Sequence, residues 1–159
     1  MLAIVWHSRT GAAQALAQAA CDGAARGGPV RMVAAVDAGP ELLLNADGYL
    51  FCCPENLGAM TGAMKEFFDC AYYPLLGRIE GRPYATIISA GSDGEGALRQ
   101  IDRIATGWRL RRVADPFTVL LDAQTPECIQ ATKTVPPEHL EAAGALGEAL
   151  SRGLEMGIF

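Results

Sequence analysis

Residues Trp6 to Gln14, WHSRTGAAQ, bring two hydroxyls, a guanidinium and a glycine to the junction of an apolar run and an alanine-rich segment. Ser8 and Thr10 offer oxygen atoms, Gly11 offers backbone freedom, and a helix starting there would present unpaired N–H groups at a positive end. Together these suit a phosphate. The same residues also read as an ordinary helix start, with Ser8 or Thr10 as the N-cap. Arg9 could add charge to a phosphate site or point to solvent. Two better-defined nucleotide signatures are absent: the stretch lacks the lysine of G-x-x-x-x-G-K-[ST] and does not form G-x-G-x-x-G.

Residues 54–60, PENLGAM, and residues 89–96, SAGSDGEG, carry similar types. In the latter, Gly91, Gly94 and Gly96 would let a backbone approach a ligand closely. They would equally serve a mobile strand-to-helix loop. Elsewhere the chemistry is thin. His7 could touch a phosphate or a substrate, but a lone histidine at a strand end specifies no acid–base role. Five cysteines at irregular spacing and two histidines assemble no zinc pattern, and reduced, mostly buried thiols are expected. Cys52 and Cys53 are neighbours on a strand, so they point to opposite faces and read as core thiols rather than a redox pair. Tyr72, Tyr73 and Trp108 are candidate lids over a bound ligand, or helix-end aromatics of the core or an interface. Lys65 and Asp69 suffice as a surface i, i+4 pair.

The elements that must position these loops follow from the hydrophobic pattern. LAIVW is a short continuous apolar run, as expected of a strand buried on both faces. VRMVAAV, GYLFCC (ended by Pro54), YATIIS and FTVLL read as four further strands. Between them, residues 12–25 form a helical stripe through Ala13, Leu16, Ala20 and Ala24, stopped by Gly27-Gly28 and Pro29. ELLLNAD reads as a short helix or turn. A second helical stripe runs through Met60, Met64, Phe67 and Ala71, and a third through Leu98, Ile101 and Ile104 or Ala105. The prolines of TVPPEHL open a last helix, whose stripe is Leu140, Ala143, Gly147, Leu150 and Leu154. Such alternation implies right-handed crossovers and a parallel sheet covered on both faces, one domain over residues 1–159. Ligands of such sheets sit at the carboxyl ends of the strands, near the switch in strand order. Segments 7–13, 54–60 and 89–96 would meet there.

Composition narrows the classes. Thirteen Lys and Arg against eighteen Asp and Glu give a net charge of -5, which argues against nucleic acid as a partner. No apolar run approaches the ~18 residues of a membrane span. Met1 leads directly into the first strand, without a basic and apolar leader, so the expected location is the cytoplasm, away from the membrane.

CPENLGAMTGAMKEFFD, Cys53 to Asp69, resembles the flavin-loop signature of the flavodoxin-like superfamily. The likeness is closest to NADPH-dependent FMN reductases and to tryptophan-repressor-binding-protein-like quinone oxidoreductases. Pro54, Gly58, Met60, Lys65, Phe67 and Asp69 match in register. The likeness runs from IVWHSRTG through ADGYLF to GRIEGRPYATIISAGS, about the first hundred residues. It implies a flavodoxin-like three-layer sandwich: a five-stranded parallel sheet of order 2-1-3-4-5 with helices on both faces. It also implies FMN as cofactor. Ser8, Arg9, Thr10, Gly11, Ala12 and Ala13 would wrap the phosphate. Pro54, Glu55, Asn56, Leu57 and Gly58 would lie against the ring, and Ala90, Gly91, Ser92 and Asp93 would close its opposite edge with backbone N–H groups. NAD(P)H would be the transient reductant and a quinone or similar small molecule the acceptor, with no catalytic side chain required. A homo-oligomer is one arrangement found among such relatives.

Three positions depart from the family pattern. Ala13 stands where a hydroxyl often helps to hold phosphate, a loss of about 1 kcal/mol. Leu57 replaces a frequent aromatic. Glu55 replaces a frequent Thr, and a carboxylate facing the ring would disfavour the anionic reduced flavin. Two other functions fit the same fold. One is a flavodoxin-type electron carrier, against which Arg78, Arg82, Arg99 and Arg103 weigh, since carriers usually present an acidic rim. The other is a flavodoxin-like interaction module without flavin, because fold does not fix function.

Overall fold

The computed structural model describes residues 1–159. In chain order the elements are β1 (Leu2–Trp6), α1 (Ala12–Ala24), β2 (Val30–Ala34), α2 (Pro40–Leu44), β3 (Gly48–Asn56), β4 (Ala59–Met60) and α3 (Gly62–Leu75). β5 (Pro83–Ala90), α4 (Glu95–Gly107), β6 (Arg111–Arg112), β7 (Phe117–Leu120), α5 (Pro126–Gln130) and α6 (Pro137–Glu155) complete the chain. β2, β1, β3 and β5 run side by side and parallel, and β7 continues the sheet beyond β5, which is the predicted 2-1-3-4-5 order.

The sheet has seven strands rather than five, for two local reasons. Pro54 does not end the third strand. Proline removes one donor, but the chain stays extended beside Ser89 of β5 and then folds back, so that Glu55 and Asn56 pair with Met60 and Ala59 of β4. The outer strand is divided: β6 pairs with Pro83 and Tyr84, and β7 with residues 87–90 of β5. Residues 113–116 stand opposite only Ala85 and Thr86, and Pro116 among them cannot donate to a ladder. Met60 belongs to β4 rather than to the helix, although it is buried with Met64 as its stripe predicts. The polar stretch after β7 contains α5, a helix with no buried residue and therefore no apolar period to reveal it.

β3 shows how one strand feeds two cores. Tyr49, Phe51 and Cys53 pack with Phe67, Phe68, Ile101 and Trp108 on the α3/α4 face. Leu50 and Cys52 pack with Leu16, Ala20, Ala143 and Leu150 on the α1/α6 face. The two outer helices of the latter meet backbone to backbone. A β-carbon on Gly147 would lie 1.9 Å from the Ala20 carbonyl oxygen, and one on Gly23 would lie 1.9 Å from that of Gly144. Of the five thiols only Cys52 and Cys53 are buried; Cys21 is half-buried, and Cys70 and Cys128 are exposed, because α3 turns Cys70 outward and α5 has no buried side. The expectation of mostly buried thiols is corrected accordingly. No helix is long and apolar enough to cross a membrane.

Candidate functional site

The first loop begins where β1 leaves the sheet, after the His7 N–H donates to the Cys52 carbonyl at 3.0 Å. Ser8 Oγ accepts the Gly11 N–H at 3.0 Å, closing a turn that holds Gly11 at φ 97°, a conformation costly for any side chain. No side chain caps α1. The N–H groups of Ala12, Ala13 and Gln14 therefore lack intrahelical acceptors, as in any first turn, and no cap substitutes for them. Of the two roles open to this loop, the capped helix start is not the one adopted. Ala13 is fully buried against the α1/α6 core, so this position offers its N–H rather than its side chain to the loop.

The second loop is the β3–β4 hairpin. Leu57 (φ 52°) and Gly58 (φ 70°) both lie in the left-handed region, the requirement of a two-residue type I′ turn. Leucine is an uncommon choice there, at a cost of about 1–2 kcal/mol. Its side chain is fully exposed. The hairpin is tied to its neighbours on both sides. With the Asn56 amide oxygen facing Arg9, Asn56 accepts from Arg9 Nε at 2.9 Å and donates to the Glu55 carbonyl at 3.0 Å. Glu55 Oε1 accepts the Gly94 N–H and Oε2 the Ala97 N–H, both at 3.0 Å, while Gln100 Oε1 accepts the Met60 N–H at 3.0 Å. The Glu55 carboxylate is thus engaged by the start of α4. Gly96 fits beneath the turn only because it lacks a β-carbon, which would fall 2.0 Å from the Gly58 carbonyl oxygen.

These loops surround a cleft of about 730 Å³ at the carboxyl edge of the sheet. Arg9, Thr10 and Ala12 line it from the first loop, Pro54, Glu55, Asn56, Leu57 and Gly58 from the second, and Ala90, Gly91 and Ser92 from the third. Four predicted residues do not line it. Ser8 and Gly11 form the turn, Ala13 faces the core, and Asp93 Oδ1 accepts the Glu95 N–H at 3.4 Å. Leu121, Ala123, Ile129, Gln130 and Lys133 form a wall that the sequence reading missed. The signal was available: β7 ends at the same edge, so the segment after it belongs beside the other three. This wall is anchored by the Lys133 N–H, which donates to the Thr10 carbonyl at 2.8 Å. Lys133 Nζ donates to the carbonyls of Cys128, Ile129 and Ala131, ending α5.

His7 does not line the cleft; its Nδ1 is buried without a partner. Burial first, and the charge of Arg9 second, hold the imidazole below its ordinary pKa. The aromatic lids do not form. Trp108 is buried, stacks on Tyr72 and donates its indole N–H to the Tyr72 carbonyl at 3.0 Å, at the end of α4 remote from the cleft. Lys65 and Asp69 make the expected surface pair, at 2.6 Å.

A 2-1-3-4-5 sheet with glycine-bearing loops around a cleft at its carboxyl edge defines a flavodoxin-like fold. Residues 10–122 match the NADPH-dependent FMN reductase family, and the chain belongs to that family. A flavodoxin of Aquifex aeolicus is 33% identical over 95 residues, 58% of this chain and 51% of the relative, so the chain spans about half that relative's length. Among solved structures, a flavodoxin from the domain Archaea superposes with a TM-score of 0.79 at 19% identity, covering 98% of this chain and 99% of that one. A WrbA-like flavodoxin from Agrobacterium tumefaciens gives 0.77 at 17% identity, with 98% and 97% covered. At these identities the two structures speak for the fold.

Proposed function

We propose that the chain binds FMN in this cleft and acts as an oxidoreductase that takes electrons from NAD(P)H and passes them to a quinone or a similar small acceptor. The observation that carries the reading is the convergence of three glycine-bearing loops on one cleft of about 730 Å³, within the usual ~300–1,000 Å³ of small-molecule sites. The residues fit the group. The uncapped start of α1 offers N–H groups for a phosphate, with Arg9 and Thr10 at the same end of the cleft. Ser8 and Gly11 shape that turn, and Ala12 and Ala13 add their N–H groups. Pro54, Glu55, Asn56, Leu57 and Gly58 would flank the ring, with Leu57 supplying the apolar contact.

Ala90, Gly91, Ser92 and Asp93 would meet the ring's opposite edge through backbone. Gly91 is held so close to the Ala123 carbonyl that a β-carbon would approach it to 2.4 Å, which keeps this wall bare backbone. When bound, FMN supplies the two-electron chemistry, while the protein binds, orients and tunes. Backbone N–H groups and the α1 dipole would hold the phosphate, and the Leu57 turn would exclude water from one side of the ring.

The test is titration of FMN with the purified protein, followed by steady-state assays with NADH, NADPH and a quinone. Quenched FMN fluorescence and turnover are expected. Binding without turnover towards any acceptor would move the assignment to an electron carrier, which the likeness to the Aquifex flavodoxin favours as the second reading. Unquenched FMN would overturn both and leave a flavin-free interaction module.

A further inference from the structure

Resting on that reading, we infer that Glu55 is the positioning residue of the ring-facing walls: it caps helix α4 from the hairpin and so locks the two walls into one unit. The geometry is specific. A self-sufficient helix start uses two side chains, one at the N-cap that accepts the N–H of N3 and one at N3 that accepts the N–H of the N-cap. In α4 those positions are Gly94 and Ala97, which have no acceptor to offer. Glu55 does both tasks with one carboxylate, Oε1 on the Gly94 N–H and Oε2 on the Ala97 N–H, at 3.0 Å each. Both bonds are charge-assisted, and the negative charge sits on the positive end of the helix.

What this holds in place is a turn that would not hold itself. Leu57 combines a left-handed backbone with a fully exposed apolar side chain. Such strain persists only where the surroundings over-determine it. Here they do so from three directions: the Glu55 carboxylate, the Met60–Gln100 bond and the contact of Gly96 with the Gly58 carbonyl. Of these, the carboxylate is the tie that joins the second loop to the third through hydrogen bonds, to Gly94 and on to Ala97. Each oxygen accepts an N–H of the helix start, so the carboxylate is held against α4. The carboxylate that the family pattern marks as a departure is therefore the fastener of the site.

Glu55→Gln keeps the shape and one acceptor oxygen, and Glu55→Ala removes both. In FMN-free protein, amide exchange of Gly94 and Ala97 should quicken about tenfold in Glu55→Gln and about a hundredfold in Glu55→Ala, with the interior amides of α1 unchanged. The dissociation constant for FMN should rise in the same order and by similar factors. Riboflavin, which has the ring but no phosphate, should weaken by the same factor as FMN, because the loss lies on the ring side. Equal FMN affinity in wild type and Glu55→Ala would overturn the positioning role, as would a loss confined to FMN with riboflavin unaffected. Unaltered exchange at Gly94 and Ala97 would show that the cap does not hold the walls. A wild-type protein that ignores both flavins while exchange still responds to Glu55 would instead mark failure of the FMN reading, and the role towards the ring would fall with it.

Discussion

Two seams, one on each face of the sheet, bring backbone against backbone through glycine, yet they are built for different ends. At the α1/α6 seam, Gly23 and Gly147 admit a facing carbonyl to within 1.9 Å of where a β-carbon would stand. The surroundings there are apolar and buried: Leu16, Ala20, Ala143 and Leu150. At the hairpin/α4 seam, Gly96 admits the Gly58 carbonyl to 2.0 Å, but the remaining ties are directional bonds through Glu55 and Gln100. The first seam derives its strength from area removed from water, which is non-directional and independent of any ligand. The second specifies orientation, holds a strained turn and leaves an apolar side chain uncovered. Stability is concentrated at one seam and pre-organisation at the other.

The largest expected effect comes from breaking the apolar seam. Gly147→Ala drives a β-carbon into the Ala20 carbonyl, and two long helices must separate to admit it. Overpacking of this kind costs about 2–3 kcal/mol, or roughly 4–12 °C in Tm for a chain of this size. FMN affinity measured well below that Tm should stay within about twofold of wild type. An equal loss of affinity would show that the seams are not independent. Gly96→Ala inverts the pattern. The clash here meets a two-residue turn, which can yield without parting two long helices, so the cost stays near ~1 kcal/mol and Tm should fall by only about 2–4 °C. The Gly58 carbonyl must still give way, and the dissociation constant for FMN should rise about tenfold or more. Thermal melts and FMN titrations of both variants, side by side, decide the matter.

The same contrast explains what the sequence made legible. The five main strands followed from continuous apolar runs such as LAIVW and GYLFCC, which need no partner to be recognised, and their order from the resemblance to the flavodoxin-like superfamily. The cleft followed from glycine-bearing segments at the carboxyl ends of those runs. The role of Glu55 could not be read, because its acceptor atoms meet amides 39 and 42 residues further along the chain. Neither Gly94 nor Ala97 carries a side chain that advertises the need for a cap. Gly147 reads as one member of a helical stripe, and only the facing Ala20 carbonyl makes its missing β-carbon essential. β4 has two residues and α5 five, too short for either period to register. What is local in the chain was visible; what is created by approach was not.

A smaller change tests whether the turn's strain serves the site. Leu57→Gly relieves a left-handed leucine, a gain of about 1–2 kcal/mol partly offset by the greater freedom of glycine in the unfolded chain. Net stability should rise by about 0.5–1 kcal/mol. FMN should nonetheless bind several-fold more weakly, because a leucine side chain in contact with the ring removes apolar area from water. Stability and affinity moving in opposite directions is the signature of strain held for a ligand. A variant that gains in both would show that Leu57 stays off the ring.

The finest probe uses the two adjacent thiols, one on each face of β3. Cys52 donates to the Ala13 carbonyl at 3.2 Å and packs with the α1/α6 core, whereas Cys53 shares its core with Met60 of the hairpin. Burial pushes the Cys53 thiol up to about 12 and that of Cys52 well above its ordinary value. An unfolded thiol ionises near ~8.5, so the stability gained by keeping both protonated is complete below that pH and is lost as pH rises through their folded-state values. Alkaline unfolding should therefore shift to higher pH in a Cys52→Ala/Cys53→Ala variant. At pH 8 a thiol reagent, followed site by site by mass spectrometry, should label the exposed Cys70 and Cys128 at once and Cys21 more slowly. Cys52 and Cys53 should react only through opening of their own face. FMN should slow Cys53 more than Cys52, and Gly147→Ala should speed Cys52 more than Cys53. Identical factors at the two thiols would mean that the sheet opens as one unit and that the seams, though built differently, are not separable in energy.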